Sequence, residues 1–394
     1  MNLGRRLSES GYTVKIAALD CTLREQTRLS RTGIVVRTGG ISAIDIPVVR
    51  ALSRVISVPS LRGMVRLLML IRWADLVIAS PFYVEDLILW SVTKLSQKPL
   101  FLSQNNAFIH NVRGNPREKL QDLWNRHIES ILLKSANGVR AVGSDQGKDL
   151  EDHGVARLIV TYPSYVSENL KPHPSVSDIP PEKGHADRNL DKLRVLVAGR
   201  MTLQKGTKTL EDILKLMERS DRMRSQIELT FVGTDLLPEP LSRMCERYPE
   251  TIRSLGFVQG GIEAPLSKMD VLLVPSLYEG IATTAITAIA QGVPVIGSDI
   301  PGVREVVDHG FTGWLCKPGN ELEFLRALEN CVKLKRESLD TWMTIKLRCR
   351  TKYLEQFGPE VCANQYNELL RAIEGTFKPA GTQGQMTSAA PSSP

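Results

Sequence analysis

Two cations and one acid stand out among the 394 residues by type and spacing. Arg200 and Lys205 lie in RVLVAGRMTLQKG, residues 194–206, where a β-branched run ends at Gly199 and Lys205-Gly206 open a helical pattern carrying Leu210, Ile213 and Leu214. Cations at the carboxyl end of a parallel strand face the crevice in which such sheets bind ligands. A guanidinium there grips a diphosphate bidentately, and an ammonium acts on it as a point charge. Glu279 and Gly280 lie in a second segment, VLLVPSLYEGIATTAITAIAQGVPVI, residues 271–296. Gly280 lets the backbone approach a ligand closely, and the helix start after it turns N–H groups toward anionic oxygens. Glu279 is placed to accept hydrogen bonds from sugar hydroxyls. Read separately, each segment also fits a plainer account: two surface cations flanking a turn, and an acid favoured by a helix dipole.

Strand-like and helix-like segments alternate along the chain to hold these loops. Short β-branched runs at 13–19, 34–37, 76–80, 99–103, 139–143 and 158–161 predict an α/β unit with a parallel sheet covered on both faces. A stretch at 171–192, rich in proline and charge and without periodicity, reads as an interdomain linker. The pattern restarts with strands at 194–198, 227–232, 271–274, 293–297 and 313–315, so a second Rossmann-like unit follows. A terminal helix is predicted over 358–373, and the Pro-, Ser- and Gly-rich tail at 376–394 reads as disordered. With 42% hydrophobic residues in a chain of this length, two domains are the natural expectation.

Composition narrows the class further. Cys21, Cys245, Cys316, Cys331, Cys349 and Cys362 show no Cys-x-x-Cys spacing, which favours reduced thiols in the cytosol and excludes a structural metal. His127, His153, His173, His185 and His309 show no ligand spacing either. Residues 1–10 are polar and charged, and the longest apolar stretch, 67–71, is far too short to span a bilayer, so a cytoplasmic or peripheral protein is expected. The net charge of +7 is carried at one end: residues 1–72 hold twelve Lys or Arg against four Asp or Glu. That asymmetry suits an anionic partner, whether phospholipid headgroups, a lipid diphosphate or nucleic acid, or else a solvated basic surface. Residues 61–73, LRGMVRLLMLIRW, fit a helix lying on a membrane surface but fit better a core helix feeding the strand at 76–80.

The two chemistry-bearing segments together resemble the retaining glycosyltransferases of family four, of GT-B architecture. The resemblance covers residues 194–373 and rests on Gly199-Arg200 with Lys205-Gly206, Phe231-Val232-Gly233, Leu255-Gly256-Phe257-Val258, Met269-Asp270-Val271, Pro275-Ser276 with Glu279-Gly280, and Gly292-Val293-Pro294-Val295-Ile296. It implies an acceptor-side domain over 1–170, a nucleotide-sugar domain over 193–355, a cleft between them and a helix at 356–375 crossing back. It further implies that Arg200 and Lys205 bind the donor diphosphate and that Glu279, with Gly280 and Ile281, contacts the donor sugar. Phe257 and Val258 would lie against the nucleobase. The implied partners are a nucleotide-diphosphate sugar and a glycan or lipid-linked acceptor, with no nucleic acid and no metal.

The sequence departs from that pattern in three places. The second acid of the family's Glu-x7-Glu motif, which grips the ribose diol, is Thr287 here, and the usual glycine after Ile281 is Ala282. One neutral hydroxyl in place of a carboxylate should weaken donor binding by about 1–3 kcal/mol unless a neighbour substitutes. The strand that opens relatives precedes the helical pattern Asn2-Leu3-Gly4-Arg5-Arg6-Leu7, so the first sheet is expected to lack its central member and leave neighbouring backbone groups unpaired. Where relatives place a histidine after the strand at 99–103, this chain has Gln104, Asn105 and Asn106, with His110 further on, read as a polar loop.

The resemblance implies sugar transfer to an acceptor hydroxyl with retention, in polysaccharide, lipopolysaccharide or glycolipid synthesis. The cations would stabilise the departing diphosphate and domain closure would exclude water. No carboxylate is assignable as a nucleophile. Two other classes compete: a catalytically impaired binding or scaffold protein, and a nucleotide-sugar epimerase or hydrolase of the same architecture.

Overall fold

The computed structural model describes residues 13–19, 32–36, 40–46, 48–51, 56–79, 85–104, 128–161, 192–233, 237–259 and 261–375. The pattern at 2–7, Cys21, Asn105, Asn106, His110, His127, His173 and His185, the linker residues 171–191 and the tail 376–394 lie outside them.

The first domain is built on a seven-stranded sheet of β1 (Thr13–Leu19), β2 (Thr32–Val36), β3 (Gly40–Ile46), β6 (Leu76–Ala79), β7 (Leu100–Gln104), β8 (Gly138–Ala141) and β9 (Leu158–Val160), in the order β3-β1-β2-β6-β7-β8-β9. A separate hairpin pairs β4 (Val48–Ala51) with β5 (Ile56–Pro59). The strands β6 to β9 are parallel, and β6, β7 and β8 are buried along their whole length, as a sheet covered on both faces requires. The expected all-parallel sheet is corrected at β2, which runs antiparallel to both β1 and β6. Parallel neighbours need a crossover whereas antiparallel ones do not, and the side-chain pattern of a strand is the same in either pairing. The expected unpaired groups beside β6 are also corrected: β2 fills that place, with Ile34 opposite Ile78.

Helix α1 (Leu61–Trp73) is capped by Ser60, whose hydroxyl accepts from Gly63 N at 3.1 Å, and turns Gly63, Leu67, Leu70 and Ile71 into the first core. Helices α2 (Glu85–Leu95) and α3 (Ser144–Asp152) complete that layer, with Val92 and Leu150 buried beside Leu100 and Leu102.

The second sheet contains β10 (Leu193–Ala198), β11 (Ile227–Val232), β12 (Ile252–Ser254), β13 (Val271–Val274), β14 (Val295–Ser298) and β15 (Gly313–Cys316), all parallel, ordered β12-β11-β10-β13-β14-β15. The chain runs outward from β10 to β12, returns to β13 on the other side of β10 and continues to β15. This is the doubly wound order whose switch point falls between β10 and β13, where such sheets bind ligands. Helix α4 (Thr207–Glu218) buries Leu210, Ile213, Leu214 and Met217 at helical spacing, and α5 (Thr283–Ala290) is buried from Ala285 to Ala290. The short α6 (Pro301–Arg304) follows β14, and α7 (Glu321–Glu337) and α8 (Leu339–Lys352) close the layer.

Helix α9 (Pro359–Gly375) crosses back to the first sheet. Its Tyr366, Leu369 and Ile373 pack on Leu76, Ile78 and Phe101, and the buried Arg140 of β8 donates to Tyr366 Oη at 3.5 Å and to Ser103 Oγ at 2.9 Å. A second link runs through Glu305, just after α6, whose carboxylate accepts the backbone N–H groups of Ser144 and Asp145 at the start of α3. Val142 belongs to the core of the second domain.

Asp270 proves to be a structural residue. It accepts from Arg194 N at 2.8 Å, Arg194 Nη2 at 3.1 Å and Lys335 Nζ at 2.8 Å, tying the starts of β10 and β13 to α7. Burial alone would raise its carboxyl, but the Arg194 hydrogen bond and the charge of Lys335 outweigh this and hold it below the usual carboxylate range. The five described cysteines are free, and burial pushes the thiols of Cys316 and Cys349 up to about 12. Such thiols are not nucleophiles at neutral pH.

Candidate active site

The loop after β10 is shaped by its glycines and one cap. Gly199 leaves the strand at φ +127°, Thr202 accepts from Lys205 N to close a single 3-10 turn over Leu203–Lys205, and Gly206 begins α4 at φ +77°. A Cβ on Gly206 would stand 1.9 Å from Pro275 O, so only glycine lets this loop press against the loop after β13. The two loops are also joined by hydrogen bonds from Leu277 N to Gln204 O at 2.8 Å and from Gln204 Nε2 to Tyr278 O at 3.4 Å.

This contact brings the sequence-designated cations and acid together. Lys205 Nζ lies 2.5 Å from Glu279 Oε1, and Ser276 Oγ donates to the same oxygen at 2.7 Å. Arg200, Met201, Lys205, Pro275, Ser276, Glu279 and Thr284 line one depression over the carboxyl ends of β10 and β13. Glu279 is buried, whereas Arg200 is exposed and its side chain makes no hydrogen bond or ion pair among the described residues. A buried carboxylate held by one ammonium and one hydroxyl keeps lone pairs for hydroxyl donors, and the open guanidinium offers its donors to an anion.

Other designated residues stand apart from the lining. Gly280 and Ile281 lead into α5, and Gly302 passes behind them so closely that a Cβ there would meet Glu279 O at 2.6 Å and Gly280 O at 2.8 Å. Of the N–H groups expected free at this helix start, that of Ala282 is taken by Gly302 O at 2.8 Å and that of Thr283 by Ile281 O at 3.0 Å. Thr287 is buried, and its hydroxyl donates to Thr283 O at 3.0 Å, one turn back along α5. Phe257 and Val258 follow β12, held at the same edge of the sheet by the 2.8 Å bond from Gly233 N to Gly256 O; Phe257 is exposed and Val258 half-buried.

In the first domain, Gln104 is not loop. It ends β7 fully buried and donates its amide N–H to the buried carboxylate of Glu129, while its own oxygen has no partner among the described residues. Ser276 and Gly302 were missed from the sequence. Ser276 had a signal in its position three residues before Glu279, but Gly302 announces itself only as the second residue of a Pro-Gly helix start. Among the described residues no three or more His, Cys, Asp or Glu side chains converge as metal ligands would.

Comparison with known proteins places this geometry. The architecture superposes on Anabaena Alr3699/HepE, whose crystal structure is in complex with UDP and glucose, with a TM-score of 0.62 at 17% identity over 85% of this chain and 86% of that one. A glycosyltransferase from Rickettsia africae gives 0.62 at 17% identity over 92% and 90%. The chain has the GT-B glycosyltransferase fold. Residues 192–333 match the family described as glycosyl transferases group 1.

Two curated relatives match over part of the chain. The uncharacterized glycosyltransferase MJ1607 of Methanocaldococcus jannaschii is 32% identical over 136 residues, 33% of each chain. The amylovoran biosynthesis glycosyltransferase AmsK of Erwinia amylovora is 26% identical over 190 residues, 46% of this chain and 45% of that protein. The matches thus span between a third and a half of these relatives.

Proposed function

We propose that the chain moves a sugar from a nucleotide-diphosphate sugar to an acceptor hydroxyl, with retention of configuration and without a metal. The observation that carries the reading is the convergence of Arg200, Lys205 and Glu279 on one depression at the switch point of the second sheet. In the reaction the bond between the anomeric carbon and the diphosphate oxygen breaks, and negative charge grows on the departing diphosphate. Arg200, whose side chain has no partner among the described residues, and Lys205, shared with Glu279, meet that charge where water is displaced. Glu279 accepts from the donor sugar's hydroxyls and orients its ring. The acceptor approaches from the first domain on the same face as the leaving diphosphate, whose oxygen takes the acceptor proton. The similarity to AmsK, an amylovoran biosynthesis glycosyltransferase, and to HepE with its bound UDP and glucose favours a glycan-building reaction with a nucleotide donor.

One observation favours a second reading, an impaired binding protein: the Thr287 hydroxyl is already committed to Thr283 O. Incubation with a panel of UDP-, GDP- and ADP-sugars separates the readings. Glycoside formed only when an acceptor is added, with the donor's anomeric configuration by NMR, supports transfer. Binding without turnover supports the second reading, and acceptor-independent product points to a hydrolase or epimerase.

A further inference from the structure

Helix α1 presents two faces of different character. Its inner face is buried, yet Leu61, Val65 and Met69 are 85%, 51% and 57% exposed. They stand at i, i+4 and i+8, so they form one ridge along the outside of the helix, about 12 Å long at the usual rise. Met64 and Leu68, half-buried, widen the ridge on one side. Arg62, Arg66 and Arg72 are exposed and flank it, and the helix contains no Asp or Glu.

A row of large apolar side chains facing water is unfavourable for a free surface, and an apolar patch rimmed by polar residues marks an interaction site. Charge decides the partner. A helix whose only charges are cations, in a stretch of 72 residues with twelve Lys or Arg against four acids, is complementary to a surface that is negative over a wide area. Because the inner face is anchored in the first core, the ridge is presented already folded, and docking need not order the helix.

We propose that α1 is an in-plane docking helix for anionic membrane. Leu61, Val65 and Met69 enter the boundary between headgroups and acyl chains, while Arg62 and Arg72 reach lipid phosphates from its flanks. The helix lies on the bilayer, since among the described residues no helix is long and apolar enough to cross one. The sequence reading of residues 61–73 as a core helix describes only its inner face. The docking surface is independent of the sugar-transfer reading.

The test is cosedimentation of the full chain with vesicles of phosphatidylcholine, alone or mixed with phosphatidylglycerol. The protein binds the anionic vesicles and not the neutral ones, and V65E and M69E each lower the bound fraction at least about tenfold while circular dichroism stays unchanged. In V65W the new tryptophan shifts to the blue on adding anionic vesicles, because it enters apolar surroundings. Absence of wild-type binding, V65E binding like wild type, or no blue shift in V65W overturns the proposal. So does a dimer by analytical ultracentrifugation that V65E dissolves without vesicle binding, since the ridge would then be a protein interface.

Discussion

Lys205 Nζ and Glu279 Oε1, 74 positions apart in the chain, stand 2.5 Å from each other across two loops that meet only because Gly206 presses on Pro275. The pair joins the cation assigned to the diphosphate with the acid assigned to the sugar. Each therefore holds the other in place before any ligand arrives, which is how a binding site avoids reorganising during reaction.

The pair separates two variants that a simple count of cations would treat alike. Arg200→Ala and Lys205→Ala should each lower turnover by about 10²–10³, the scale for losing one donor to developing charge. Their stabilities should differ. The Arg200 side chain is exposed and has no partner among the described residues, so its loss stays within about 0.5 kcal/mol. Lys205→Ala leaves the buried Glu279 with Ser276 alone and costs about 1–3 kcal/mol. Urea denaturation of both variants checks this, and equal stabilities would mean that the ion pair does not form.

Gly206→Ala attacks the contact between the loops. With φ at +77° and Pro275 O 1.9 Å from the new carbon, backbone must move, at a cost of roughly 3 kcal/mol. Thermal unfolding should show the loss, and donor affinity should fall with it because Lys205 shifts away from Glu279.

Thr287→Glu places an acid at the position where the resemblance expects one. A carboxylate reaching the ribose diol should tighten nucleoside-diphosphate binding about tenfold. Calorimetry that finds unchanged or weaker binding would show that the side chain stays along α5, where the Thr287 hydroxyl now bonds Thr283 O.

The Asp270 triad predicts a pH dependence. Its carboxyl is held below the ordinary range in the folded protein, so it stays ionised to lower pH than in the unfolded chain. The stability it contributes is fully present above the unfolded value of about 4 and is lost as pH falls through the folded one. Asp270→Asn should cost roughly 3 kcal/mol at pH 7, because Arg194 and Lys335 lose their shared acceptor. The variant and wild type should draw progressively together as pH falls below about 4, which denaturation curves across pH 3–7 would reveal.

Much of this molecule was legible in its residues wherever burial on both faces leaves an unbroken β-branched run with glycine or proline at its ends. Strands β1, β11 and β13 and helix α5 carry the expected boundaries, and the loops after β10 and β13 fall at the switch point because the strand order follows the two predicted units. The direction of β2 was not legible, since side-chain alternation is the same in parallel and antiparallel pairs. Strand β12 has three residues with only Ile252 buried, too little pattern to register. Glu305 reads as an ordinary acid until both domains are placed and its carboxylate is found on the first turn of α3. The outer ridge of α1 escaped for a related reason, as periodicity shows that a helix is amphipathic without showing which of its apolar residues the fold leaves outside.

Calorimetric titration with nucleoside mono- and diphosphates tests the central claim most directly. If Arg200 and Lys205 flank a diphosphate, wild type prefers the diphosphate of its nucleoside to the monophosphate, and each alanine variant loses about tenfold in diphosphate affinity with little change for the monophosphate. Variants that bind the diphosphate as tightly as wild type would contradict the site.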